Sequence, residues 1–85
     1  MNLDTIFGAV AGTISSVTFL PQVIKIYKTK SAKDLSLWTL FFLALGVALW
    51  LVYGILKADA PLIITNAIVL SMIFIMLYFK LSFKD

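Results

Sequence analysis

Cysteine and histidine are absent from this 85-residue chain, and only four residues are acidic. Without cysteine there are no disulfides, no thiolate metal sites and no dithiol redox chemistry. Neither a nucleophile–base pair nor a metal-ligand cluster is recognisable, so the residues predict no enzyme, no metal and no cofactor. Charge is missing over whole stretches. Residues 5–24, 35–56 and 60–79 hold no Asp, Glu, Lys or Arg.

What is present is apolar surface: 62% of the residues are hydrophobic. A soluble domain this small buries too little of its chain to hide that much. Each charge-free run is about 20 residues long, and at roughly 1.5 Å per residue it crosses a hydrocarbon layer of roughly 30 Å. Backbone groups in lipid must bond within their own segment, so such runs are helices. The expected fold class is therefore an all-α membrane protein with three transmembrane helices, over residues 3–27, 36–56 and 60–80. A cleaved signal peptide would need a basic start and a shorter apolar core. The start here is Asn2-Leu3-Asp4, so the first run is expected to span.

The net charge of +3 comes from lysines in the connecting segments, which favours membrane lipid over nucleic acid as their partner. Lys25, Lys28, Lys30 and Lys33 flank the first loop, and Lys80 and Lys84 lie near the C-terminus. The second loop holds only Lys57 beside Asp59, and the N-terminal segment holds Asp4. Positive residues favour the cytoplasmic side. The first loop and the C-terminus are thus expected inside, with the N-terminus and the Lys57–Asp59 turn outside.

Several residues interrupt the apolar runs. Pro21-Gln22 falls near the inner end of the first, where proline removes a backbone donor and predicts a bend or break. The carbonyl of Val17 is left without its usual partner, so a hinge is expected there. Gly8, Gly12, Gly46 and Gly54 are expected at helix-packing positions, because glycine allows close helix approach in lipid. Thr13, Ser15, Ser16 and Thr18 can bond back to their own helix or face a cavity. Ser36 is a candidate cap for the second helix. Tyr27 and Trp38 suit the interfacial aromatic belt.

On the second helix, Leu43, Gly46, Trp50, Tyr53 and Lys57 recur at spacings of three and four and share one face, with Gly54 beside it. Trp50 is roughly 9 Å below the outer boundary, deep for an anchor. On the third, Pro61 suits the first turn. Asn66 is the only amide in its run and lies roughly 8 Å below the outer surface, near the depth of Trp50. Unpartnered in lipid it would cost a few kcal/mol, so it must face protein or water. On position alone, both residues fit interhelical packing as well as a site.

Taken together, Pro21-Gln22 with the lysine-rich loop after it, the segment Leu49-Trp50-Leu51-Val52-Tyr53-Gly54-Ile55, and Pro61 with Thr65-Asn66 resemble the bacterial SemiSWEET sugar transporters of the PQ-loop family. The resemblance covers essentially the whole chain. It implies a three-helix bundle packed in the order one, three, two, working in the bacterial inner membrane as a six-helix parallel homodimer with its pocket on the twofold axis. It also implies that Trp50 and Asn66 bind a neutral mono- or disaccharide. Tyr53, Lys57 and Asp59 would form an outer gate, with Lys57 where arginine is common in the family, and Pro21-Gln22 would be the hinge of an alternating-access cycle. With no ionisable group inside the spans, passive uniport is expected. Two other readings stay open on the residues: a PQ-loop carrier of amino acids or vitamins, and a small structural or regulatory membrane protein without a pore.

Overall fold

The computed structural model describes residues 2–83; Lys84, counted above among the inner positive charges, lies outside them. The chain forms three helices, α1 (Leu3–Thr29), α2 (Leu37–Leu56) and α3 (Ala60–Ser82). All three are long and apolar enough to cross a membrane.

Local chemistry sets each boundary. Asn2 opens α1: its side-chain oxygen accepts from the Thr5 backbone N–H at 2.8 Å. Ser36 accepts from Thr39 N–H at 3.2 Å to start α2, and Asp59 accepts from Leu62 N–H at 3.2 Å to start α3. Each supplies an acceptor to a first turn that has none of its own. At the far end of α1, Lys30 turns into the left-handed region (φ 55°) and its N–H donates to Ile26 C=O at 2.9 Å. That closure carries α1 two residues past the expected end.

Of the two outcomes expected at Pro21, a bend or a break, the break does not occur: α1 is continuous from Leu3 to Thr29 with Pro21 inside it, in keeping with the expected span over 3–27. Proline costs one backbone hydrogen bond, while Phe19, Val23 and Ile26, on either side of it, all pack into the core. Those contacts hold the same rod together across the missing bond.

α3 lies in the middle. It packs against both α1 and α2, which do not meet each other among the described residues, and the packing order is one, three, two. The bundle is a slab of 47 × 21 × 13 Å, about one helix thick. Its apolar core gathers at the lysine-rich end, where Ile26, Leu40, Met72, Ile73 and Met76 are buried. There the loop after α1 is held over α3: Ala32 is buried, and its carbonyl accepts from Lys80 Nζ at 3.0 Å. At the opposite end, small residues replace that core.

Candidate substrate-binding face

Glycine contacts fix how the helices stand against one another. A Cβ on Gly8 would lie 3.2 Å from Pro61 Cβ, and one on Gly12 would lie 3.1 Å from Thr65 Cβ. Both pairs are 53 residues apart, so α1 and α3 run parallel in that register. On the other flank, a Cβ on Gly54 would lie 3.3 Å from the Ile63 backbone nitrogen, and α2 runs antiparallel. Gly46, expected to pack helices as well, behaves differently. Nothing lies within 4 Å of its Cβ position, so it packs no helix within the protomer and lies instead in an open groove.

Depth follows by counting from these contacts. Trp50 is four residues back from Gly54, and Asn66 is three on from Ile63. On antiparallel helices that puts the two within about 1.5 Å of the same level.

Facing follows as well. Thr65 faces α1 and Ile63 faces α2. Asn66 is turned about 100° from Thr65 and so leaves the slab through one of its two broad faces. Ile64 and Ile68, both exposed, leave through the other. The seam between α1 and α3 agrees. One side is walled by Ala11, Ser15 and Leu62, the other by Thr13, Val17, Ile64 and Ile68. Asn66 belongs to the Leu62 side, since its Nδ2 donates to Leu62 C=O at 2.8 Å. On α2, the row turned toward that same face is the one preceding the α3 contact row by one position: Gly46, Trp50 and Tyr53.

One broad face thus carries both an indole and a carboxamide at a common depth. Trp50 is 56% exposed and its ring meets Tyr53 edge-on, centroids 5.5 Å apart. It closes one end of a groove of about 570 Å³ walled also by Trp38, Phe42, Leu43, Gly46 and Val47. Asn66 is half-buried. Its Nδ2 is occupied by Leu62 C=O, while no donor among the described residues reaches its oxygen. No hydrogen bond joins the two side chains, and the groove under Trp50 does not include Asn66. Within one protomer both side chains lie on an open face.

Residue types decide what such a face can hold. A flat indole takes an apolar ring face, and a carboxamide offers both acceptor and donor atoms to hydroxyls. Residues 5–63 match the PQ loop repeat. The chain belongs to the PQ-loop family. Within it, the chain is similar to the sugar transporter SemiSWEET of Leptospira biflexa, 43% identical over 94% of both chains. The SemiSWEET of Bradyrhizobium diazoefficiens is 48% identical over 78% of this chain and 77% of its own. A solved structure described as a bacterial homologue of SWEET transporters superposes with a TM-score of 0.91. It is 41% identical, with 98% of this chain and 100% of that one covered. The SemiSWEET relatives carry names of transporters, and this fold is theirs.

Other residues singled out in the sequence fall as follows. Tyr53 stands at the far end of the face, with Lys57 Nζ 6.0 Å from its ring centroid. Asp59 is committed to capping α3, so within one protomer Lys57 and Asp59 serve different neighbours. Gln22 and Pro21 are exposed. Tyr27 stacks obliquely on Phe79 at 6.1 Å and lies under Lys30 Nζ at 3.7 Å. Thr13 and Thr18 each donate to the carbonyl four residues back, at 2.8 Å, and Ser15 has no such bond. That Ser15 shares the Asn66 face was missed in the sequence, because a hydroxyl on an apolar helix carries no signal of which neighbour it faces.

Proposed function

We propose that this protein carries a neutral mono- or disaccharide across the membrane by alternating access, as a passive uniporter. The observation carrying this reading is the common depth and facing of Trp50 and Asn66 on an otherwise incomplete surface. The named activity of the SemiSWEET relatives supplies the substrate class. Two copies related by an axis along the membrane normal would bring two indoles and two carboxamides around one ligand, the parallel-repeat arrangement of this transporter type. Mixed apolar walls with a few polar groups suit a small uncharged solute. The interior of the spans holds no group able to carry a coupling proton.

The gate is best read across the dimer. Lys57 and Asp59 find separate partners within one protomer, which leaves the Lys57 ammonium available to a second copy. An exposed lysine–carboxylate pair is worth at most about 1 kcal/mol, weak enough to open in each cycle. The lysine-rich end is assigned to the cytoplasmic side of the bacterial inner membrane by its charge.

Uptake of labelled glucose and sucrose into proteoliposomes tests the reading. Trp50→Ala and Asn66→Ala are each expected to reduce uptake at least tenfold without loss of folded protein. Unchanged uptake in both variants would remove the pocket assignment. A requirement for an imposed proton gradient would remove uniport.

A further inference from the structure

A second feature of the Asn66 face lies on α1. The row turned toward that face contains Ser15, Thr18 and Gln22, spaced three and four apart and all exposed in the protomer. The row turned the other way begins at Thr13, whose hydroxyl bonds back to Ala9 C=O at 2.8 Å, and continues as Val17, Leu20 and Ile24, all apolar and exposed. The two long sides of one helix therefore differ in polarity through the middle of a span. Thr18 satisfies its hydroxyl on Ile14 C=O at 2.8 Å. The Ser15 hydroxyl and the Gln22 carboxamide have no partner among the described residues. Turned into lipid, a bare carboxamide would cost a few kcal/mol. Water or a hydroxylated solute removes that cost.

Levels along α1 follow from its register with α3. Ser15 lies about 3 Å from the level of Asn66, and Gln22 about 13 Å from it, toward the lysine-rich end. Gln22 then borders a cavity of about 450 Å³ that is also walled by Lys25, Thr29, Lys33 and Asp34. The polar row thus joins the Trp50–Asn66 level to an open cavity at the end of the bundle whose walls mix charged groups with Ile26, Ala32 and Leu35.

We infer that Ser15, Thr18 and Gln22 form the water-lined wall of the lysine-rich half of the transport route. Gln22 is a second hydrogen-bonding station for the sugar on its way between the Trp50–Asn66 level and the lysine-rich mouth. This rests on the transport reading above. The Gln22 carboxamide offers one acceptor and two donors, a match for vicinal hydroxyls. One sugar ring cannot touch Asn66 and Gln22 together, so a leaving sugar exchanges one carboxamide for the other.

The absence of native cysteine makes the test direct. Single variants Ser15→Cys, Thr18→Cys and Gln22→Cys are compared with Val17→Cys, Leu20→Cys and Ile24→Cys, all in the full chain in proteoliposomes. Labelling by a charged, membrane-impermeant thiol reagent is expected to be at least tenfold faster on the first set. Ser15→Cys changes one atom, so the comparison survives even if Gln22→Cys folds poorly. Gln22→Leu is expected to lower maximal glucose or sucrose uptake several-fold. Equal labelling of the two sets overturns the water-lined wall, and if uptake by the unmodified chain persists, the transport reading stands without it. Fast labelling of the first set with no uptake of either sugar overturns the sugar station together with the transport reading. Undiminished uptake by Gln22→Leu overturns the sugar station alone.

Discussion

At Gly12 an added methyl group would collide with Thr65 Oγ1 and crowd Thr65 Cβ at 3.1 Å and Cγ2 at 3.3 Å. Threonine is branched at Cβ and stiff, so it cannot turn all of these atoms away, and α1 would have to lift off α3. Gly12→Ala is expected to cost about 1–3 kcal/mol, the usual range for overpacking, read by reversible unfolding in detergent. A variant as stable as the parent would contradict the seam. Gly46→Ala should do the opposite. With nothing within 4 Å, the protomer keeps its stability or gains up to about 1 kcal/mol of helix propensity, while uptake falls because the groove beneath Trp50 narrows. Loss of folding at Gly46 would mean a contact within the protomer. As letters in the chain these glycines look alike, since a missing side chain permits approach without naming what approaches.

At the scale of the element, α1 combines a missing hydrogen bond with an unbroken path. Pro21 leaves Val17 C=O without its helical donor, yet the helix runs on to Thr29. On one side Gly8 and Gly12 clamp it to Pro61 and Thr65. On the other, Ile26 is buried among Met72, Ile73 and Met76. Both ends of α1 are therefore anchored to α3, and the weakened turn lies between the anchors. Pro21→Ala restores the bond and removes a penalty of about 3 kcal/mol for proline in a helix interior. The expected outcome is a more stable chain with slower turnover and nearly unchanged sugar affinity, measured by paired uptake and equilibrium binding. Weaker binding with normal turnover would move Pro21 from hinge to pocket.

For the molecule as a whole, the slab is one helix thick, and both broad faces are apolar and exposed. The two faces are not equivalent. One shows Val17, Ile64 and Ile68, with the Thr13 hydroxyl bonded back to its own helix. The other adds Trp50, Tyr53, Asn66, Ser15 and Gln22 to its apolar residues. Lipid can cover the first at little cost, whereas the polar groups of the second need water or a protein partner. A second copy applied to that face, as proposed above, would cover those polar groups and leave the other face to lipid. Light scattering in mild detergent is expected to give twice the 9.4 kDa chain mass, and single cysteines at Tyr53 should cross-link in membranes. A monomer that still transports sugar would contradict the shared pocket.

The sequence by itself determined three helices and their approximate ends, and it singled out Trp50 and Asn66 as a deep indole and the only amide of its run. The length of a charge-free run and the cost of burying an amide are local quantities, readable from adjacent residues. The cap at Ser36 was legible for the same reason. The choice between a bend and a break at Pro21 was not, because it depends on what Phe19, Val23 and Ile26 pack against. Nor was the second role of Asp59, whose carboxylate is held by the first turn of α3. Above all, only the tertiary structure decided which rows of α1 and α2 share a face with Asn66. Rotation about a helix axis is set by the neighbour it touches. Here two glycines against Pro61 and Thr65, and a third against Ile63, turn Ser15, Gln22, Trp50 and Asn66 toward the same side.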